Sequence, residues 1–299
     1  MPQHLHLKFA VNLETLADEM IEEISKAWTS PFDAPVVIFS EYKLEQWFRL
    51  HWIEKKGVLA NLNRKSLDRF LMDILVGDDP TKKKLTSDML RNVILAYLQK
   101  SDENGVPNYK TLDIRVSEYL MDPLSGNVDE NRLFDFANKL SGLFLEYETS
   151  RPSGFLNGVD GFLDCWKQGG LKDFFLNAKG KPVENEGWER KLYAAIFHNE
   201  NGDSLLTKVF KAAGNPENPV EYLTLPFLYH MNRPDGQIKF HYDSSKPVFI
   251  LGLSGMGQFY RVVLQEFAKE HDVYAYIQNP CMEFWEDIEN PHAKRSIAP

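Results

Sequence analysis

Nowhere in its 299 residues does the sequence carry a GxxxxGKS/T motif, which removes the commonest means by which a chain hydrolyses a nucleotide on its own. Cysteine is scarce. Cys165 and Cys281 lie far apart, without a CxxC or a Cys/His spacing, so neither a disulfide framework nor a zinc site organises the fold. No hydrophobic run approaches the roughly 18 residues of a membrane span, and the opening MPQHLHLKFAVNLETLADEM lacks the basic start and apolar core of a secretory signal. The expectation is a soluble, cytoplasmic protein without a membrane partner. Positive charge is also in deficit, with 34 Lys/Arg against 43 Asp/Glu and a net charge of -9. That balance argues against indiscriminate coating of DNA, yet leaves room for a basic groove inside a larger assembly.

A sizeable core is within reach: 43% of residues are hydrophobic and 13% aromatic, and the length suits one large or two ordinary domains. Residues 5–10 alternate as a short strand, residues 13–28 place apolar side chains at helical spacing, and 35–40 (PVVIFS) reads as a strand buried on both faces. A helix over 42–55 follows. The pattern then turns helical for about 165 residues, with helices expected over 66–76, 86–100, 109–120, 129–149, 161–175, 187–197, 204–213 and part of 220–231. Strand character returns at 247–252 and 272–277, around a helix at 257–270 and before a short aromatic helix at 282–288. Two strand pairs flanking a helical block predict an α/β parallel-sheet domain, built from 1–64 and 241–299, with a large all-helical insertion over 65–240. The polar, abrupt end at 292–299 reads as a chain cut from something longer.

The most informative stretch is 35–76. Between residues 41 and 69 it carries seven Lys/Arg (Lys43, Arg49, Lys55, Lys56, Arg64, Lys65, Arg69) against four acids, a local balance of +3 in an acidic chain. A basic, aromatic segment suits a nucleic-acid strand. Tyr42 can stack on an unpaired base and Gln46 can hydrogen-bond one; ordinary packing is the alternative for both, and for Trp47, beside Leu44 and Leu50, a place in the core. Arg49, Arg64, Lys65 and Arg69 can reach phosphates or stand as solvated surface charges. The stripe Leu133, Phe136, Ala137, Leu140, Phe144 and Tyr147 makes 129–149 amphipathic. Arg151, just before Pro152, either pairs a phosphate or neutralises the helix end.

Other motifs have plainer readings. Asn12 fits a helix N-cap, and Gly252-Leu253-Ser254-Gly255-Met256-Gly257 matches neither GxGxxG nor GxSxG and reads as a tight strand-to-helix turn. Cys281 lacks an identifiable His partner, and the carboxylate pairs Glu22/Glu23 and Glu286/Asp287 are consecutive, so they do not converge on a helix. No catalytic residue is assigned.

Four segments in order, FSEYKLEQWF with KKGVLANL, RLFDFANKLSGLFLEYETSRP, PVFILGLSGMGQFYRVVLQEF and NPCMEFWEDI, resemble the N-terminal part of the RecC family, the gamma subunits of exodeoxyribonuclease V (RecBCD). The resemblance covers nearly the whole chain. It implies a domain like the first motor domain of a superfamily 1 helicase whose P-loop is lost, forming a tunnel for single-stranded DNA and reading a Chi hotspot. By position, the implied lining is Ser40, Tyr42, Gln46, Ser66, Met72, Gly142, Leu143, Leu145, Glu146 and Arg151. Gln46, Leu143 and Arg151 keep the family's residue type. Tyr42 stands for a smaller hydroxyl residue, Ser40 for glutamine, and Gly142 and Leu145 for acids, which is compatible with a different recognition sequence or none. The implied partners are RecB-like and RecD-like subunits in a heterotrimer, which use the ATP and Mg; this chain is expected to bind no cofactor. Two other readings stay open: a scaffold that docks the helicase subunit without touching DNA, and a nucleotide-using enzyme with GLSGMG as its phosphate turn.

Overall fold

A computed structural model describes residues 4–28, 30, 32, 34–150, 166, 186–197, 204–213, 220–232, 238–253 and 255–279. In chain order the elements are β1 (Leu5–Ala10), α1 (Leu13–Ala27), β2 (Val36–Phe39), α2 (Tyr42–Lys56), β3 (Asn63–Lys65), α3 (Leu67–Val76), β4 (Lys82–Lys84), α4 (Ser87–Gln99), α5 (Asn108–Leu112), α6 (Ile114–Leu120) and α7 (Glu130–Ser150). There follow α8 (Glu186–Phe197), α9 (Leu205–Ala213), β5 (Glu221–Leu223), α10 (Leu225–Met231), β6 (Val248–Leu251), α11 (Gln258–Phe267) and β7 (Val273–Gln278). Two compact units emerge: Met1–Ile74 with Phe240–Met256 and Val263–Pro299, and Leu75–Lys239 with Gly257–Val262.

The first unit is an α/β structure around a parallel sheet in the order β1-β7-β6-β2-β3. Its centre is set by two short apolar runs, VVIF and VFIL, every residue of which is buried. Such runs have no polar face to offer water, so they demand cover on both sides. On one face α1 supplies Leu16, Ala17, Met20, Ile21 and Ile24, and α2 supplies Phe48 and Trp52, against Val37, Phe39, Phe249, Leu251 and Tyr276. Phe70, Phe240, Tyr242 and Phe267 form an aromatic cluster elsewhere in this unit, with ring centroids 5.2–5.8 Å apart. α2 ends at Gly57, whose φ of 84° lets its N–H return to the Ile53 carbonyl at 2.8 Å.

Asn12 occupies the N-cap position of α1 in an extended conformation, as the sequence predicts, although its side chain makes no capping hydrogen bond. The helix begins only two residues after β1. β3 was invisible to pattern reading because NRK has no apolar period; it exists by pairing with β2 at Val36↔Asn63, Val37↔Arg64 and Ile38↔Lys65. At the turn after β6, Gly252 has φ 83°, and a Cβ there would press on Leu44 Cδ2 and lie 3.0 Å from Ser40 Oγ. The positive φ favours glycine here, while the side-chain ends of Leu44 and Ser40 could move aside for a Cβ, which fits the tight-turn reading of this stretch.

The second unit is mostly helical. α4, α7 and α8 bury Leu90, Val93, Ile94 and Leu98, then Leu133, Ala137, Leu140 and Phe144, then Leu192, Tyr193 and Ile196 in one core. Beside them β4 (KKK) and β5 (EYL) form a two-stranded parallel sheet that the sequence did not announce, again because three mostly polar residues carry no period. The helix expected over 109–120 is two helices. Asp113 breaks it with φ -161°, and its carboxylate caps α6 by accepting from the Arg115 N–H at 2.9 Å. A buried carboxylate, Glu148, accepts from the Tyr193 hydroxyl and from Thr224 Oγ1, tying α7 to α8 and to the start of α10. The expected helices over 161–175 and 282–288 lie outside the described residues, except Trp166.

His271 should give the first unit a pH dependence. It is 5% exposed, stacked on Phe267 at 4.3 Å, and its Nδ1 has no hydrogen-bond partner among the described residues. Burial pushes its pKa below the usual 6.5, helped by His4 and opposed by Glu270 and Asp243. The native state therefore holds the ring neutral while the unfolded chain protonates it, so stability is full above about 6.5 and is lost as pH falls through the lowered native value. The urea midpoint should drop between about pH 7.5 and pH 5.5, and His271→Phe, which keeps the stacking, should flatten that dependence. An unchanged profile in the variant would remove His271 as its source.

Candidate nucleic-acid interface

α2 has two chemically distinct sides. Phe48 and Trp52 face the sheet, while Tyr42 is 63% exposed and Gln46 and Leu50 are also exposed. Trp47 is half-buried, packs against the margin of the core in which Phe48 is fully buried, and stacks on His51 with centroids 5.2 Å apart. Glu45 is the anomaly on this helix: a carboxylate only 5% exposed.

Two arginines account for it. Arg49, one turn further along α2, donates from Nε to Glu45 Oε1 at 2.9 Å, and Arg64 of β3 brings its Nε within 2.8 Å of Glu45 Oε2. The arrangement borders an open cleft of about 550 Å³ along the β3 edge of the sheet. Tyr42, Glu45 and Arg49 line it from α2, Asn61, Leu62, Asn63 and Arg64 from the β3 segment, and Phe32 and Ala34 from the residues before β2. Phe32 is 92% exposed. A cleft of this size, with two aromatic rings and two guanidiniums at its walls, has room for one nucleotide unit of a strand.

Most of the local positive charge is spent inside the fold. Lys55 and His51 contact Asp18 at 2.8 and 2.7 Å, and Lys56 contacts Glu22 at 2.6 Å, joining α2 to α1. The Lys55 hydrogen bond holds the Asp18 carboxyl below its ordinary value against the opposing effect of burial. Lys65 and Arg69 both pair with Asp73, at 2.8 and 3.0 Å. What remains for a ligand is the Arg49–Glu45–Arg64 group, of net charge +1, and Lys43, which has no acidic partner among the described residues.

The sequence-derived positions thus separate. Tyr42, Arg49 and Arg64 share one cleft; Gln46 is exposed on the same helix but does not line it. Ser40 is exposed beside Gly252. Ser66 is exposed, and its Oγ accepts from the Arg69 N–H at 3.3 Å at the start of α3. Met72 is only 8% exposed. Gly142, Leu143, Leu145 and Glu146 belong to α7 of the second unit, where Leu143 and Leu145 are half-buried against its core and Gly142 and Glu146 are exposed. Arg151 lies outside the described residues. Sequence reasoning missed Glu45, although its i,i+4 spacing to Arg49 was a legible pairing signal. The pairing with Arg64 had none.

Among the described residues no group of three or more His, Cys, Asp or Glu is placed to hold a metal ion, and no helix is long and apolar enough to cross a membrane. The family model for RecC, N-terminal domain, matches residues 5–298. The chain belongs to that family. Relatives named RecBCD enzyme subunit RecC are found in Escherichia coli (strain K12), 22% identical over 286 residues covering 93% of this chain, and in Haemophilus influenzae (strain ATCC 51907 / DSM 11121 / KW20 / Rd), 20% identical over 276 residues covering 86%. This RecC-family chain spans 22% of the length of each.

Proposed function

We propose that this chain works as part of a RecBCD-type helicase–nuclease in double-strand break repair by recombination, guiding single-stranded DNA along the Tyr42–Arg49–Arg64 cleft without nucleotide hydrolysis or strand cleavage of its own. Family membership supplies the setting, and the cleft is the observation that carries the reading. Its aromatic ring offers a stacking platform that any base can use, and its guanidiniums offer charge to the backbone. The small net charge suits a strand that must slide through rather than be held.

The segments 1–64 and 241–299, which fall largely in the first unit, would form a helicase-like motor domain of the superfamily 1 kind, and 65–240 its largely helical insertion. The absence of ATPase activity is supported by the β1–α1 connection, which is only Val11 and Asn12, too short for the glycine-rich loop whose backbone N–H groups would cradle a phosphate. RecB-like and RecD-like subunits in the cytoplasm would supply ATP- and Mg-dependent chemistry. Exposed Gln46 is a candidate reader of a Chi-like base. The docking-scaffold alternative is favoured by one observation, the exposed apolar side chains Leu50, Ile53 and Val58 at 64%, 45% and 76%.

Fluorescence anisotropy of a labelled single-stranded oligonucleotide, titrated at two salt concentrations, separates the two. Strand guiding predicts salt-sensitive binding that Tyr42→Ala weakens by about 1–3 kcal/mol through lost stacking. No binding even at low salt would leave docking as the better account.

A further inference from the structure

A carboxylate in the wall of a strand-binding cleft is at first sight misplaced, since it repels phosphate. Glu45 is nevertheless 5% exposed, while Arg49 and Arg64 keep side-chain exposures of 32% and 38%. Burying an acid is unfavourable unless its charge is met, and here one carboxylate meets two cations, one oxygen to each. The usual strong arginine–carboxylate pair is two-pronged and uses both oxygens on a single guanidinium. Here the closest contacts go to different oxygens. The closest contact of each arginine with Glu45 is through Nε, and the Nη groups of neither donate a hydrogen bond to a described residue.

We propose that Glu45 is a positioning residue, which holds the Arg49 and Arg64 guanidiniums in place so that their free Nη groups form a preset clamp for backbone phosphates of a single strand. The proposal rests on the strand-guiding reading. Long arginine side chains ordinarily lose rotamer freedom when they bind; with Nε anchored, that loss is taken on folding instead. One arginine comes from a helix and the other from the edge strand. Glu45 thus ion-pairs with both, and it fixes their separation as well as their orientation.

Glu45→Gln tests this because charge and geometry predict opposite signs. Removing one negative charge should tighten DNA binding if Glu45 acts only through its field. If it positions the clamp, the variant should bind more weakly, because an amide presents one acceptor oxygen and turns an NH2 toward the second guanidinium. The reading is the salt dependence of oligonucleotide anisotropy for the 299-residue chain. Two phosphates held on a single strand give a slope near about 1.4 in log affinity against log salt, so a fourfold rise in salt weakens the wild type by about sevenfold; one phosphate gives about 0.7 and about threefold. Glu45→Gln should fall to the lower value, and adding it to Arg64→Ala should change the slope no further. Circular dichroism confirms that the variants are folded, and Glu45→Asp, which keeps the charge but retracts it by one methylene, should also lose slope. Wild-type binding with an Arg64-dependent slope that Glu45→Gln leaves intact or tightens overturns the positioning role alone. A wild-type chain that binds no strand overturns the strand reading and the clamp together.

Discussion

Arg64→Ala should weaken binding of a single-stranded oligonucleotide about fivefold at about 0.1 M salt and lower the salt slope by about 0.7, the contribution of one released counterion contact. Arg49→Ala should do the same. Their combination needs care, because removing both cations strands Glu45, which is 5% exposed, as an unpaired buried charge, a change that costs about 3–5 kcal/mol and can unfold the site. The informative multiple variant is Arg49→Ala with Glu45→Gln and Arg64→Ala, which leaves the cleft neutral. Its expected loss is about 25-fold, twice the single effect on a logarithmic scale. Lys55→Ala serves as the contrast: that ammonium is engaged 2.8 Å from Asp18 on the α1 side, so strand affinity should hold. Equal losses from Lys55→Ala and Arg64→Ala would mean that the chain is read by DNA as a diffuse charge and that the cleft has no special part.

The second large effect lies beneath the site. Phe48 is fully buried, its ring 5.3 Å from Phe39 and 6.0 Å from Trp52, and it fastens α2 to the sheet from the side opposite Tyr42 and Arg49. Phe48→Ala should destabilise the first unit by about 3–5 kcal/mol, from lost transfer energy together with the cavity left behind. Urea unfolding followed through the fluorescence of Trp52, which is 4% exposed and packs against Phe48, would report it. Leu50→Ala, two residues along but 64% exposed, should stay within about 0.5 kcal/mol. Similar losses for the two would mean that the helix is turned differently about its axis.

That rotation of α2 marks where sequence reading stops. Pattern alone located the helix, ending it at 55 where the structure ends it at Lys56, because Gly57 supplies a left-handed stop and the preceding VVIF run can only be a buried strand. It placed Trp47 in the core, where the structure has it partly buried at the core's margin with Phe48 fully buried next door, since in a segment with aromatics on several faces the apolar period is blurred. The short strands β3, β4 and β5 were missed for a related reason. NRK, KKK and EYL hold strand geometry because a neighbour supplies hydrogen bonds, a property of the partner rather than of the residues. Asp113, inside an apparently continuous helix, capped a new one instead, using a side-chain hydrogen bond that competes with the helical ladder.

By itself, then, the sequence determined an α/β fold with a parallel sheet, the course of most helices, the lack of a glycine-rich phosphate loop and a family resemblance spread along the chain. Each of these is written in local order, in apolar period, in a motif or in its absence. Only the tertiary structure decided which charges are available. Lys55, Lys56, Lys65 and Arg69 are drawn into ion pairs with Asp18, Glu22 and Asp73, whereas Arg49 and Arg64 converge on Glu45. Charge counts along a chain add without regard to distance, but the field at a cleft depends on which partners the fold brings within a few ångströms, and strand pairing β2 with β3 is what brought Arg64 to Glu45.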